Sequence, residues 1–135
     1  MTDTKLFPDN WPPGCPPEAS EPADGTVYRL VSSNPPAEVD FRTNFEEGTF
    51  PRRPPCLRCA LSVFRDINDA YHNRKLYPKA LSDKLIASGG LDPAHGNTFA
   101  TPGKLPSHTS WWPYQGIARH TLFRACSPRS DRVES

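Results

Sequence analysis

Two cysteines two residues apart, Cys56 and Cys59, are the first chemistry this chain offers. That gap lets two thiolates share one tetrahedral Zn²⁺. A closed site needs two more ligands, and Cys15, Cys126, His108 and His120 are the residues on hand; no second Cys-x-x-Cys and no His-x₃-His spacing accompanies them. The competing reading buries Cys59 as a small hydrophobe and leaves Cys56 in a proline turn. A thioredoxin-like redox pair would sit at a helix start, where the dipole lowers the thiol pKa, whereas this pair precedes an apolar run. No cofactor is predicted, and zinc on Cys56 and Cys59 is kept as an alternative.

The second cluster is aromatic: His108, Trp111, Trp112 and Tyr114, with His120 nearby. Neighbouring residues of a strand point to opposite faces, so Trp111 and Trp112 cannot both face one core. One is exposed or covered by another segment. An exposed Trp beside His and Tyr is a stacking surface for a base, a sugar or a peptide proline. Trp11, flanked by prolines, is a segment that could cover it.

The third reading is a hydrolase or transferase pocket drawing on Ser62, His72, His95 and His108. Residues 49–130 contain no glutamate, and their only carboxylates are Asp66, Asp69, Asp83 and Asp92. A two-carboxylate glycosidase scheme is therefore poorly supplied. Gly-x-Ser-x-Gly and the glycine-rich phosphate loops are absent as well. Ser/His and Arg/His sites stay open, because their members converge in space and not in sequence. The order of a Tyr28-Arg29 strand, a helix, a buried strand and a second helix is similar to that of small ADP-ribosyltransferase-like domains. That resemblance covers about a third of the chain. It implies a transferase with Arg29 and His108 as the catalytic candidates, and the late glutamate it would call for has no counterpart.

Charge is divided along the chain. Residues 1–48 carry three basic against nine acidic side chains, a net −6, and residues 49–135 carry 13 against six, a net +7. An acidic arm folding over a basic face, or a basic face for an anionic partner, would use that division. Arg52, Arg53, Arg58, Arg65, Arg74 and Lys75 crowd the central stretch, so nucleic acid or a nucleotide is one partner class. They form no single helical stripe.

These residues need elements to position them. The 135 residues suit one domain. Residues 1–24 hold six prolines and little apolar periodicity, which reads as a flexible arm outside the core. Residues 25–126 are expected to form the domain, and 127–135 a polar tail. Residues 26–31 read as a strand with Val27, Arg29 and Val31 on one face and Tyr28 and Leu30 on the other. Asn34-Pro35 would cap a helix over 37–47 that Gly48 stops. Residues 59–64 read as a strand covered on both faces, its apolar run broken only by Ser62. Asp66 caps a helix from Ile67 that Tyr77-Pro78 ends. Residues 84–87 are strand or helix end, and Gly89-Gly90 a turn or bulge. Short strands follow over 98–101, 107–112 and 116–126. The expected fold is α+β: a small, mostly antiparallel curved sheet with two helices.

No apolar run approaches the length of a membrane span. Without a secretory signal, four cysteines read as thiols or ligands sooner than disulfides, and the compartment expected is the cytoplasm. The first functional reading is a small interaction or regulatory protein. It would bind another protein through Trp111, Trp112 and Tyr114 together with Arg52, Arg53 and Arg58, and no membrane. The alternatives are the Arg29/His108 enzyme and the zinc module.

Overall fold

The computed structural model describes residues 6–126; the polar tail lies outside them. Seven strands form one sheet in the order β1-β5-β6-β3-β2-β4-β7, with every pairing antiparallel. They are β1 (Glu21–Pro22), β2 (Gly25–Val31), β3 (Leu61–Phe64), β4 (Leu85–Leu91), β5 (Gly96–Ala100), β6 (His108–Pro113) and β7 (Phe123–Ala125). The helices are short: α1 (Asn44–Glu47), α2 (Pro55–Arg58), α3 (Ile67–Leu76) and α4 (Pro78–Leu81). No helix among the described residues is long and apolar enough to cross a membrane.

Alternation along the strands builds a core on each face. Val27, Val31, Leu61, Val63 and Trp111 share one buried cluster with Phe41 and Phe123. Phe64 and Ile86 share the other with Ala70 of α3 and Leu105. Leu61, Val63 and Phe64 are at most 3% exposed, as an apolar run broken only by Ser62 implies. Asp66 caps α3 by accepting from the amide of Asn68 at 2.9 Å, and Asp69 in the first turn accepts from the Ser107 amide at 2.9 Å. Helix α3 is thereby tied to the residue that precedes His108.

Several expectations are corrected. The helix over 37–47 is broken into a 3₁₀ turn (Glu38–Phe41) and α1. Thr43 stops it from continuing, because its hydroxyl accepts from the Glu46 amide while the Glu46 carboxylate accepts from the Thr43 amide. That reciprocal cap starts a new helix there, and Gly48 ends it at φ 70°. Gly89 and Gly90 lie inside β4. Gly89 is paired with Phe123, and a Cβ on it would meet that ring at 2.6 Å, so the glycine makes room for an aromatic ring. The last strand is confined to 123–125 by a 3₁₀ turn (Arg119–Leu122) before it.

The cysteines differ most. Cys56 is bonded to Cys15 in a disulfide, with the Cα atoms 5.4 Å apart. The Cys-x-x-Cys pair is therefore not a metal-ligand pair, and no group of three or more metal-ligating side chains occurs among the described residues. Cys56 lies on the helical turn α2 and not in a strand approach, and Cys59 at its end is buried. Burial pushes the Cys59 thiol up to about 11, which makes it inert.

The proline-rich arm, from Leu6 onward, lies against the sheet. Phe7 packs between Trp11 and Tyr114 at 5.5 and 4.6 Å, the Gln115 amide donates to the Leu6 carbonyl at 2.9 Å, and β1 pairs with β5. Ala23 is fully buried within the first core.

Candidate functional site

Strands β3 and β6 pair with Ser62 opposite Ser110 and Phe64 opposite His108. Period-2 alternation then puts Ser62, Phe64, His108 and Ser110 on one face, with Ser62 diagonal to His108. The His108 Nε2 atom lies 3.0 Å from the Ser62 hydroxyl oxygen. Its Nδ1 lies 3.0 Å from the Thr101 carbonyl oxygen and 2.9 Å from the Thr101 hydroxyl. A carbonyl only accepts, so the tautomer that uses it is assigned, with the proton on Nδ1 and the Nε2 lone pair toward Ser62. The Thr101 hydroxyl is also 2.9 Å from that of Ser110, and Phe64 meets the imidazole edge-on at 5.5 Å. Burial lowers the pKa of His108 and Arg53 lowers it further, against the opposing pull of the Thr101 carbonyl. The ring is therefore neutral at pH 7 and able to accept a proton.

Two loops fix this pair. At the start of α3, the Arg65 amide donates to the Ser107 carbonyl and the Asp66 amide to the Ser107 hydroxyl, at 3.2 and 3.1 Å. Residue 107 is thus clamped beside the end of β3, and His108 follows it. On the other side, Thr101 and His108 close the β5–β6 connection, the Thr101 amide donating to the His108 carbonyl at 3.0 Å.

Ser62 and His108 open into a cleft of about 510 Å³ whose wall includes Arg53, Asn73, Tyr77 and Lys104. Its volume is in the range of small-molecule sites. The two cations stand on mobile-length side chains at its rim, both exposed, and the Lys104 ammonium is 6.0 Å from the Tyr77 ring. A larger cleft of about 760 Å³ lies elsewhere, between the 3₁₀ turn at 38–41 and residues 116–120. Its Arg119 and Glu46 are spent on each other in a two-bond pair at 2.8 and 2.7 Å; Glu38, Arg42, Glu47 and His120 also line it, but the aligned histidine–hydroxyl pair opens into the smaller cleft.

Arg29, the other catalytic candidate, does not line the Ser62 cleft with its side chain. It sits where β2 and β3 pair at a single position, Tyr28 opposite Phe64. Its Nη1 donates to the Ser62 carbonyl at 2.8 Å and its Nε to the Asp40 carbonyl at 3.0 Å, over the Phe41 ring. Burial lowers its pKa to about 10, with Asp40 opposing, so the guanidinium stays charged at neutral pH. Arg29 bridges the strands there and holds the backbone of Ser62.

The expected aromatic surface is not an open one. Trp111 and Trp112 are both fully buried, on opposite faces, and each indole N–H is spent at 2.9 Å, on the His95 carbonyl and the Cys56 carbonyl respectively. Tyr114 is half-buried under Phe7. Of the three arginines, Arg58 donates to the carbonyls of Thr49 and Asn44 and lies over Phe45. Arg52 and Arg53 are exposed. Beside them Phe50 is 63% exposed at φ 52°.

Ser62 was legible in one respect: it is the polar break in an otherwise apolar strand. Nothing in the composition of the 98–106 stretch points to Thr101, whose part is set by the strand register. No protein-family model, no curated protein and no solved structure matches the chain.

Proposed function

We propose that this protein is a small serine-dependent transferase or hydrolase acting on an anionic substrate. The observation that carries the reading is the His108 ring, held at Nδ1 by the Thr101 carbonyl and aimed through Nε2 at the Ser62 hydroxyl, 3.0 Å away. A neutral imidazole so oriented takes the hydroxyl proton as the serine oxygen attacks an electrophilic centre, and returns it to the leaving group. A backbone carbonyl in place of a carboxylate fixes the tautomer but adds less stabilisation to the imidazolium. Arg53 and Lys104 at the cleft wall favour a substrate carrying negative charge. The disulfide suits an oxidising setting better than a reducing cytoplasm.

Covalent labelling tests the reading. An organophosphonate probe should form one adduct, at Ser62, and Ser62→Ala and His108→Ala should both abolish it. Absence of labelling in the wild-type protein across a panel of anionic and neutral probes sinks the proposal.

A second reading keeps the interaction protein but moves its surface. Exposed Phe50 beside Arg52 and Arg53 is an aromatic-basic loop tip suited to an acidic protein partner. Phe50→Ser should then abolish capture of that partner while leaving Ser62 labelling intact.

A further inference from the structure

Between Phe7 and Ala19 no backbone hydrogen bond to the rest of the chain occurs among the described residues; those formed are internal, Trp11 to Pro8 and, just beyond, Ser20 to Pro17. The segment is held by the Cys15–Cys56 bond, by Phe7 on Tyr114 and by the Leu6–Gln115 contact at its far end. From Ser20 onward it is anchored by the Asn97 side chain, at 2.9 Å, and by β1. Cys56 is independently secured, because the Trp112 indole donates to its carbonyl. Cutting the disulfide therefore removes the one covalent tie in the middle of the arm, leaves the contacts at its two ends, and spares the position of Cys56.

The end of the arm also borders His108. Ala19, with Glu21 of the anchored β1, walls a second cleft of about 380 Å³ that is lined too by His108, Thr98, Phe99 and Ser107. Both bonded cysteines are partly exposed, so a small thiol can reach them. Cys59, buried and with its thiol pushed up to about 11, does not compete as a nucleophile.

We propose that the Cys15–Cys56 bond is a redox-sensitive strap: reduction loosens residues 8–19, between the Phe7–Tyr114 contact and the Ser20 anchor, and widens a second approach to His108. The chemistry is thiol–disulfide exchange with a dithiol reductant. One reductant thiolate attacks a cysteine sulfur and the S–S bond breaks. The second reductant thiol resolves the mixed disulfide. Two electrons and two protons pass to Cys15 and Cys56, and the reductant leaves as its own disulfide. A surface segment with no backbone hydrogen bond to the sheet opens locally without global unfolding. The access role rests on the serine-enzyme reading; release of the arm does not.

The test uses the full chain, oxidised or treated with dithiothreitol under native conditions, with free thiols counted by alkylation and mass spectrometry. Backbone ¹⁵N order parameters of residues 8–19 should fall from about 0.85 to below about 0.6 on reduction and stay at about 0.85 in β3 and β6. Cys15→Ser should reproduce the reduced state without reductant, and Cys126→Ser should not. Labelling of Ser62 by the phosphonate should be several-fold faster in the reduced form. An arm that stays rigid once both thiols are free, or a bond that yields only when β3 and β6 unfold, overturns the proposal. A freed arm with an unchanged labelling rate overturns the access role. No labelling in either form condemns the enzyme reading, while the order parameters still decide the strap.

Discussion

His108 and Ser62 meet across the β3–β6 pair on the diagonal, Nε2 to hydroxyl oxygen at 3.0 Å, because Phe64 and not Ser62 is directly opposite His108. The diagonal leaves the hydroxyl open to the cleft and lets the ring lie along the sheet against Phe64.

The first prediction concerns pH. Burial holds the pKa of His108 below the ordinary histidine value, and the proposed mechanism uses the neutral ring as base. Labelling of Ser62 should rise with pH through a pKa below about 6.5 and be flat by pH 7. The folded pKa is depressed, so the unfolded chain binds the proton first. Stability from this group is complete above the unfolded pKa and is lost as pH falls from there through the folded pKa. A labelling profile that inflects above pH 7 contradicts the assignment.

Arg29→Lys should show what the guanidinium fork does. Lysine keeps the charge but cannot reach the Asp40 and Ser62 carbonyls together. One or both of these part-buried to exposed acceptors lose a charge-assisted bond, so unfolding free energy should fall by about 1–2 kcal/mol. Urea denaturation measures it. A change under about 0.5 kcal/mol would remove Arg29 from the structural frame of the site.

Gly89→Ala should be disproportionately costly for one methyl group. The added carbon would lie 2.6 Å from the Phe123 ring, in a packed core, and such overpacking costs about 1–3 kcal/mol. Phe123→Leu in the same chain should recover part of the loss, which a thermal melt of the double variant reads directly. Additive losses would mean the ring is not the obstacle.

The Glu46–Arg119 pair ties α1 to the turn before β7, and Arg119 also donates to the Phe41 carbonyl. Burial raises the Glu46 pKa, but the Arg119 hydrogen bond and the Thr43 cap outweigh it, and the net shift is downward. A depressed carboxylate stabilises the fold above its unfolded pKa, and that contribution is lost as pH falls through the folded pKa. Arg119→Ala should flatten the acid limb of stability between pH 5 and 3 and cost about 1–2 kcal/mol at pH 7. An unchanged acid limb would show the pair to be inert.

Local chemistry was readable wherever it was also sufficient. The β3 run, the Asp66 cap on α3, the Gly48 stop and the face assignment of β2 depend on near neighbours and on side-chain periodicity, and each is in place. Trp111 and Trp112 in succession implied opposite faces but left open whether the second ring is exposed or covered, and the structure buries both. Contacts between distant segments are another matter. Cys56 carries the same sequence signal whether Cys59 shares a metal with it or Cys15, 41 residues away, shares a bond. His108 meets Ser62 only because the register of β6 on β3 places them two residues apart on one face, and a slip of one residue would send the ring to the other side. The residues with chemistry were visible in the chain, but their partners are set by long-range pairing, where packing of the whole sheet, and no local preference, selects one arrangement.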